Sequence, residues 1–301
     1  METLSRAKTV DELINVFVSF FDEKSKKRGL AFKPRPTDVI ISPYAKCGTT
    51  WTQHIIHGLR SRGNIDFDEI NSVVPWIEIA YDMGWNLDTE QFANPRLFKS
   101  HVSWHDVPKG ARYIVPFRHY DDAIISFYRF FEGWFFEPDT INLEELISWR
   151  WPRDKADTQG YWYHLSSWWE QRHNENVLLL CYEDMVADLP GTVRRIAHFM
   201  GMKPDDELFE IVIHQSSREF MLQHKDKFDE RHIRDIGGER AGLPSPISSY
   251  KVTPGNSHDK NYQLSVELHQ LLDDIWQEQI TARLGLKSYE DLRAEIRNLY
   301  Q

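Results

Sequence analysis

The sequence is poor in cysteine, in long apolar runs and in basic charge, and it contains no Gly/Ser linker, internal repeat or low-complexity tract. Each shortage removes a class of function. Two cysteines, Cys47 and Cys181, supply neither a disulfide framework nor a metal cluster, so a reducing setting is expected. No apolar stretch approaches the ~20 residues of a membrane span. The opening METLSRAKTVDELINVF lacks the apolar core of a signal peptide. The expectation is a soluble, cytoplasmic chain with no membrane partner. With 36 Lys and Arg against 46 Asp and Glu, a net charge of −10, the balance argues against a nucleic-acid partner, because counterion release needs clustered cations. It leaves room for a local basic pocket holding a small anion.

What is present is alternation. Short runs rich in β-branched residues, at 38–44, 96–101, 112–118 and 176–184, are interleaved with helical patterns at 49–62, 119–134, 161–173 and 189–201. Strands alternating with helices imply a parallel sheet covered on both faces, with ligands at the carboxyl ends of the strands. The 301 residues suit one α/β domain, 1–301, with nothing to mark a boundary between about 35 and 215.

At the first strand end stands ISPYAKCGTTWTQHIIHGL, residues 41–59. A strand-to-helix turn aims free backbone N–H groups and the positive end of the helix dipole at an anion. Gly48 lets the backbone come close, Thr49 and Thr50 offer hydroxyls, and Lys46 adds a full charge. The competing account is a Thr-capped helix with a solvated Lys. It is not a Walker A loop, which needs Lys after its second Gly, whereas here Lys46 precedes Gly48.

The segment YAKCGTTW resembles the Tyr-Pro-Lys-Ser-Gly-Thr-Thr-Trp loop of cytosolic sulfotransferases, which binds a 5′-phosphosulfate. FKSH (98–101) resembles the family's second strand end, with its Lys and catalytic His. RHYDDAIISFYRF (118–130) resembles its 3′-phosphate segment, and WWEQRHNENVLLLCYEDM (168–185) its Trp-Trp-Glu…Tyr-Glu-Asp stretch. Four motifs in the family's order over 36–201 imply a P-loop-like three-layer fold. They also imply transfer of a sulfuryl group from 3′-phosphoadenosine 5′-phosphosulfate to a hydroxyl of a small alcohol or phenol, without a metal. His54 and His57, three apart, have no neighbouring ligand set to suggest otherwise.

By this resemblance Lys46 and the amides of Cys47, Gly48, Thr49 and Thr50 hold the 5′-phosphate and the charge that builds on the leaving oxygen. His101 is the general base, assisted by Lys99 two residues earlier on the same strand face. His105 is the nearest competitor. Arg118 and Ser126 clamp the 3′-phosphate, the rival account being an ion pair of Arg118 with Asp121 or Asp122. Trp51, Tyr182 and, by a looser match, Ser216 surround the adenine; Arg218 falls where an aromatic is usual. Trp76, Phe130, Trp134 and Phe136 line the acceptor pocket, unless they are simply core.

The departures are as informative. Ala45 and Cys47 replace Pro and Ser in the loop. The closing Arg-Lys-Gly-x-x-Gly, expected within about 215–260, is matched only by YKVTPGN (250–256), which keeps Lys251 and Gly255 but has Tyr250 and Val252 for the Arg and first Gly. Lys251 is then expected to supply charge to the 3′-phosphate. The family's dimer motif is not clean in KNYQLSVELHQ (260–270), so oligomeric state is left open. Two other functions fit the donor site: a lyase that sulfonates transiently and then eliminates, and a non-catalytic nucleotide-binding relative.

Overall fold

The computed structural model describes residues 5–151, 160–244, 251–252 and 263–300. Four strands, β1 (Val39–Ile41), β2 (Leu97–Lys99), β3 (Arg112–Phe117) and β4 (Val177–Cys181), form one parallel sheet in the order β2-β1-β3-β4. Each lies inside an expected strand.

The sheet divides the core in two, as period-2 alternation requires. Ile40, Phe98, Tyr113, Val115, Leu179 and Cys181 face one cluster; Val39, Ile41, Leu97, Ile114, Leu178 and Leu180 face the other. Helices Tyr120–Trp134, Tyr161–Trp169, Val266–Trp276 and Tyr289–Leu299 cover the first face. Helices Thr49–Ser61, Leu189–Phe199 and Asp206–Gln215 cover the second. The result is a single three-layer α/β domain. At the free edge of β4 the Leu179 amide donates to the Tyr300 hydroxyl at 3.0 Å, so the last helix covers a donor that no strand pairs.

Glu183, from the Tyr-Glu-Asp stretch, ties strand ends together. One carboxylate oxygen accepts from the His119 amide after β3 at 2.9 Å, the other from the Tyr289 hydroxyl at 2.8 Å. At the opposite end of the sheet, Arg96 before β2 forks onto Asp38 before β1, with Nε–Oδ1 2.9 Å and Nη2–Oδ2 2.6 Å, both side chains fully buried. Removing one partner of such a pair strands a buried charge. Asp38→Ala is therefore expected to lower the unfolding free energy by about 3–5 kcal/mol, read from urea melts.

Candidate active site

All four strand ends open on one edge of the sheet, and the loop after β1 forms its floor. Lys46 (φ +69°) and Gly48 (φ +93°) both adopt left-handed backbone, a sequence of turns that draws successive N–H groups inward. Glycine is needed at 48 twice over, since a Cβ there would lie 2.9 Å from the Tyr182 ring. Gly48 is the N-cap of helix Thr49–Ser61 and no side chain caps it, so the Thr-capped alternative does not hold and the first-turn amides stay free of side-chain caps. The Thr49 hydroxyl is buried without a protein partner.

Arg118 follows β3 and donates from Nη1 to the Lys46 carbonyl at 3.0 Å, while its guanidinium stacks 4.5 Å above the Tyr182 ring. Its Nε is buried and unpartnered. Asp121 instead faces His269, at 2.9 Å, and His119. Ser126 lies in the second turn of helix Tyr120–Trp134. Trp51 meets Tyr182 edge-on at 5.7 Å and donates to the Ser216 carbonyl at 2.8 Å, bringing Ser216, whose hydroxyl is also buried and unpartnered, to the same corner. These orphaned donors around a glycine cradle suit a polyanionic nucleotide. Arg218 begins the next helix.

His101 follows β2. Its Nδ1 lies 2.8 Å from the Pro43 carbonyl, which can only accept, so Nδ1 carries the proton and Nε2 keeps a lone pair. Its backbone N–H donates to Glu78 at 2.7 Å. Burial, reinforced by the Lys99 charge, holds the imidazole well below its usual pKa, hence neutral at pH 7. Lys46 is pushed down to about 7 by burial and by Lys251, and Lys99 down to about 8 by burial. His105 is exposed against Tyr163, 5.6 Å away.

Lys99 is fully buried with its ammonium 4.0 Å from the Trp76 ring centroid, and it is ion-paired with Glu230. The other oxygen of Glu230 takes Lys251. Lys251 thus stands in a Lys–Glu–Lys triad and near the Phe130 ring, at 5.6 Å. Tyr250 and Gly255, and part of the 260–270 segment, lie outside the described residues.

An arc of aromatic rings runs from His101 to Lys46. His101 meets Trp76 at 5.1 Å, Trp76 meets Phe21 at 5.9 Å, Phe21 meets Phe20 at 5.1 Å, Phe20 meets Trp134 at 6.0 Å, Trp134 meets Phe130 at 4.5 Å, and the Lys46 ammonium is 4.4 Å from Phe130. Phe136 is outside it, fully buried against Tyr128 at 5.4 Å, which corrects its expected place in the pocket. Phe20 and Phe21, at the end of helix Val10–Phe20, were missed, as were Glu78 and Glu230; the two Phe belong to an amphipathic stripe, whereas the Glu residues have no spacing that announces them.

Cys47 and Cys181 are buried free thiols, and desolvation raises the Cys47 pKa to about 12. His54 and His57 are buried on helix Thr49–Ser61, His54 against the Gln215 carbonyl at 3.0 Å and His57 accepting from Arg60. Among the described residues no group of three or more His, Cys, Asp or Glu could hold a metal, and no helix is long and apolar enough to cross a membrane.

The chain is 28% identical to Sulfotransferase 1E1 of Cavia porcellus over 299 residues, 94% of this chain and 93% of that one. It is 31% identical over 205 residues to the 3-alpha-hydroxysteroid sulfotransferase of the same animal, 64% of this chain and 69% of that one. Among solved structures it is similar in fold to mouse sulfotransferase SULT7A1 complexed with PAP, with a TM-score of 0.65, 18% identity and coverage of 93% and 95%. It is likewise similar to retinol dehydratase in complex with androsterone and PAP, with a TM-score of 0.66, 16% identity and coverage of 89% and 85%. The family model for the sulfotransferase domain matches residues 36–284, and the chain belongs to that family of enzymes, which depend on 3′-phosphoadenosine 5′-phosphosulfate.

Proposed function

We propose that this enzyme moves a sulfuryl group to the hydroxyl of a flat alcohol or phenol, with His101 as the general base. The observation that carries the proposal is the His101 tautomer: Nδ1–H is committed to the Pro43 carbonyl, and burial beside Lys99 keeps Nε2 able to accept a proton at neutral pH. The aromatic arc between His101 and Lys46 supports a planar, apolar acceptor.

The donor, 3′-phosphoadenosine 5′-phosphosulfate, supplies the sulfuryl group. The amides after Gly48 and the Thr49 and Thr50 hydroxyls hold its 5′-phosphate, with Lys46 balancing charge at the oxygen that leaves. Arg118, with Ser126, takes the 3′-phosphate; its unpartnered Nε and its anchoring to the Lys46 carbonyl favour that role over a structural ion pair. Trp51, Tyr182 and Ser216 form the adenine corner. Lys99 and Lys251 are better assigned to the acceptor side, because both are paired with Glu230 and lie near Trp76 and Phe130. This departs from the expectation that Lys251 serves the 3′-phosphate.

His101→Ala is expected to reduce kcat by about a hundred- to ten-thousand-fold while leaving calorimetric affinity for adenosine 3′,5′-bisphosphate within a few-fold. Loss of nucleotide affinity with turnover intact would contradict the assignment. In the wild type the acid limb of kcat/KM should fall below pH 6.5, because a depressed imidazole pKa keeps the base competent to lower pH. Trp76→Ala should raise the acceptor KM by about 10- to 100-fold and leave the donor KM unchanged, as measured in two-substrate kinetics with a planar phenol.

A further inference from the structure

Among the described residues Glu230 is the carboxylate paired with both Lys99 and Lys251, and its position is unusual in three ways. It is almost fully buried; its two oxygens are split between Lys99 and Lys251; and its backbone is left-handed, φ +43° and ψ +40°, in a residue with a full side chain. Such a conformation carries strain, and a buried ion pair is a weak source of net stability. Glu230 opens helix Arg231–Ala241, its carbonyl accepting from the Arg234 amide at 3.1 Å, but its side chain caps nothing, so the burial of the carboxylate serves no helix end.

We propose that Glu230 is a positioning residue for the transfer, holding Lys99 against Trp76 beside His101 and Lys251 beside Phe130, so that both side chains meet the acceptor in fixed positions. This rests on the assignment of His101 and its lysines to the reaction. The triad carries one net positive charge and faces Lys46 across the aromatic arc, so the carboxylate also limits mutual repulsion among three buried ammonium groups.

The charges that act on each group set the direction of the test. Lys99 is surrounded by Glu230, Lys251 and Glu78; Lys46 by Lys251, Glu230, Arg118 and Lys99; and His101 by Lys99, Glu230 and Lys251. Glu230 favours the charged form of all three, whereas Lys251 disfavours it. Neutralising Glu230 therefore makes Lys99 and Lys46 lose their protons at lower pH, and removing Lys251 makes them keep their protons to higher pH. The two substitutions therefore move the alkaline limb in opposite directions, which a loss of packing common to both would not do.

The experiment is the pH dependence of kcat/KM for the donor, which reports groups of the free enzyme, in wild type, Glu230→Gln and Lys251→Met. The alkaline limb is expected to move down by about one pH unit in Glu230→Gln, a tenfold loss above the limb, and to move up in Lys251→Met. Limbs that stay in place, or that shift in the same direction, overturn the proposal. If the wild type shows no alkaline limb at all, the assignment of these lysines to the reaction fails instead. Should Glu230→Gln not fold, Glu230→Asp is read instead: a shortened carboxylate that no longer reaches both ammonium groups is expected to move the limb down, and an unmoved limb overturns the proposal.

Discussion

The architecture depends on the double pairing of one three-residue strand. Ile41 of β1 is in register with Lys99 on one side and Ile114 on the other. Its carbonyl accepts from the Ser100 amide at 2.8 Å, and the next amide, Ser42, donates to Ile114 at 3.1 Å. Parallel strands in step end in step. The chain leaves β1 and β2 at one level, while β3 runs on three residues beside β4 to Phe117, and the loop carrying Lys46, the segment carrying His101 and the turn carrying Arg118 gather at that edge without any direct tie between β2 and β3. A slip of β1 by one residue would turn its buried side chains to the opposite face and displace the Lys46 loop with them.

Around that edge, electrostatics and packing are set against each other. Lys46, Lys99, Lys251 and Arg118 are gathered where water is scarce, and burial is the largest influence lowering the pKa of the first two. Aromatic faces offset part of that cost through their quadrupoles, Phe130 for Lys46, Trp76 for Lys99 and Tyr182 for Arg118. Two of these rings, Trp76 and Phe130, also belong to the aromatic arc between His101 and Lys46. Apolar lining and cation support are thus one set of side chains.

Much of this was legible in the sequence because it is local. Strand ends followed by helix starts put Lys46, His101, Arg118 and Tyr182 on one edge, and Gly48 was legible as the point of close backbone approach, though not as left-handed backbone. What could not be read depends on distant pairings. Glu230 meets Lys99 across 131 positions of chain, and it sits in a polar stretch, HKDKFDERHIR, that looks solvated. Phe21 reaches Trp76 only because the first helix folds back over the site. Phe136 misled for the converse reason: its run of aromatics continues past the helix end, and the two residues after Trp134 turn into the core, where the Glu137 amide donates to the Ala7 carbonyl.

The depressed pKa of Lys46 has a thermodynamic corollary. A group held near 7 is about half neutral in the free protein at that pH, and a phosphate placed beside it restores the full charge. On the proposed placement of the 5′-phosphate beside Lys46, donor capture is also proton capture from the medium. By linkage, affinity declines as pH rises through that value, and the apparent heat of association carries the ionisation enthalpy of whichever buffer gave up the proton.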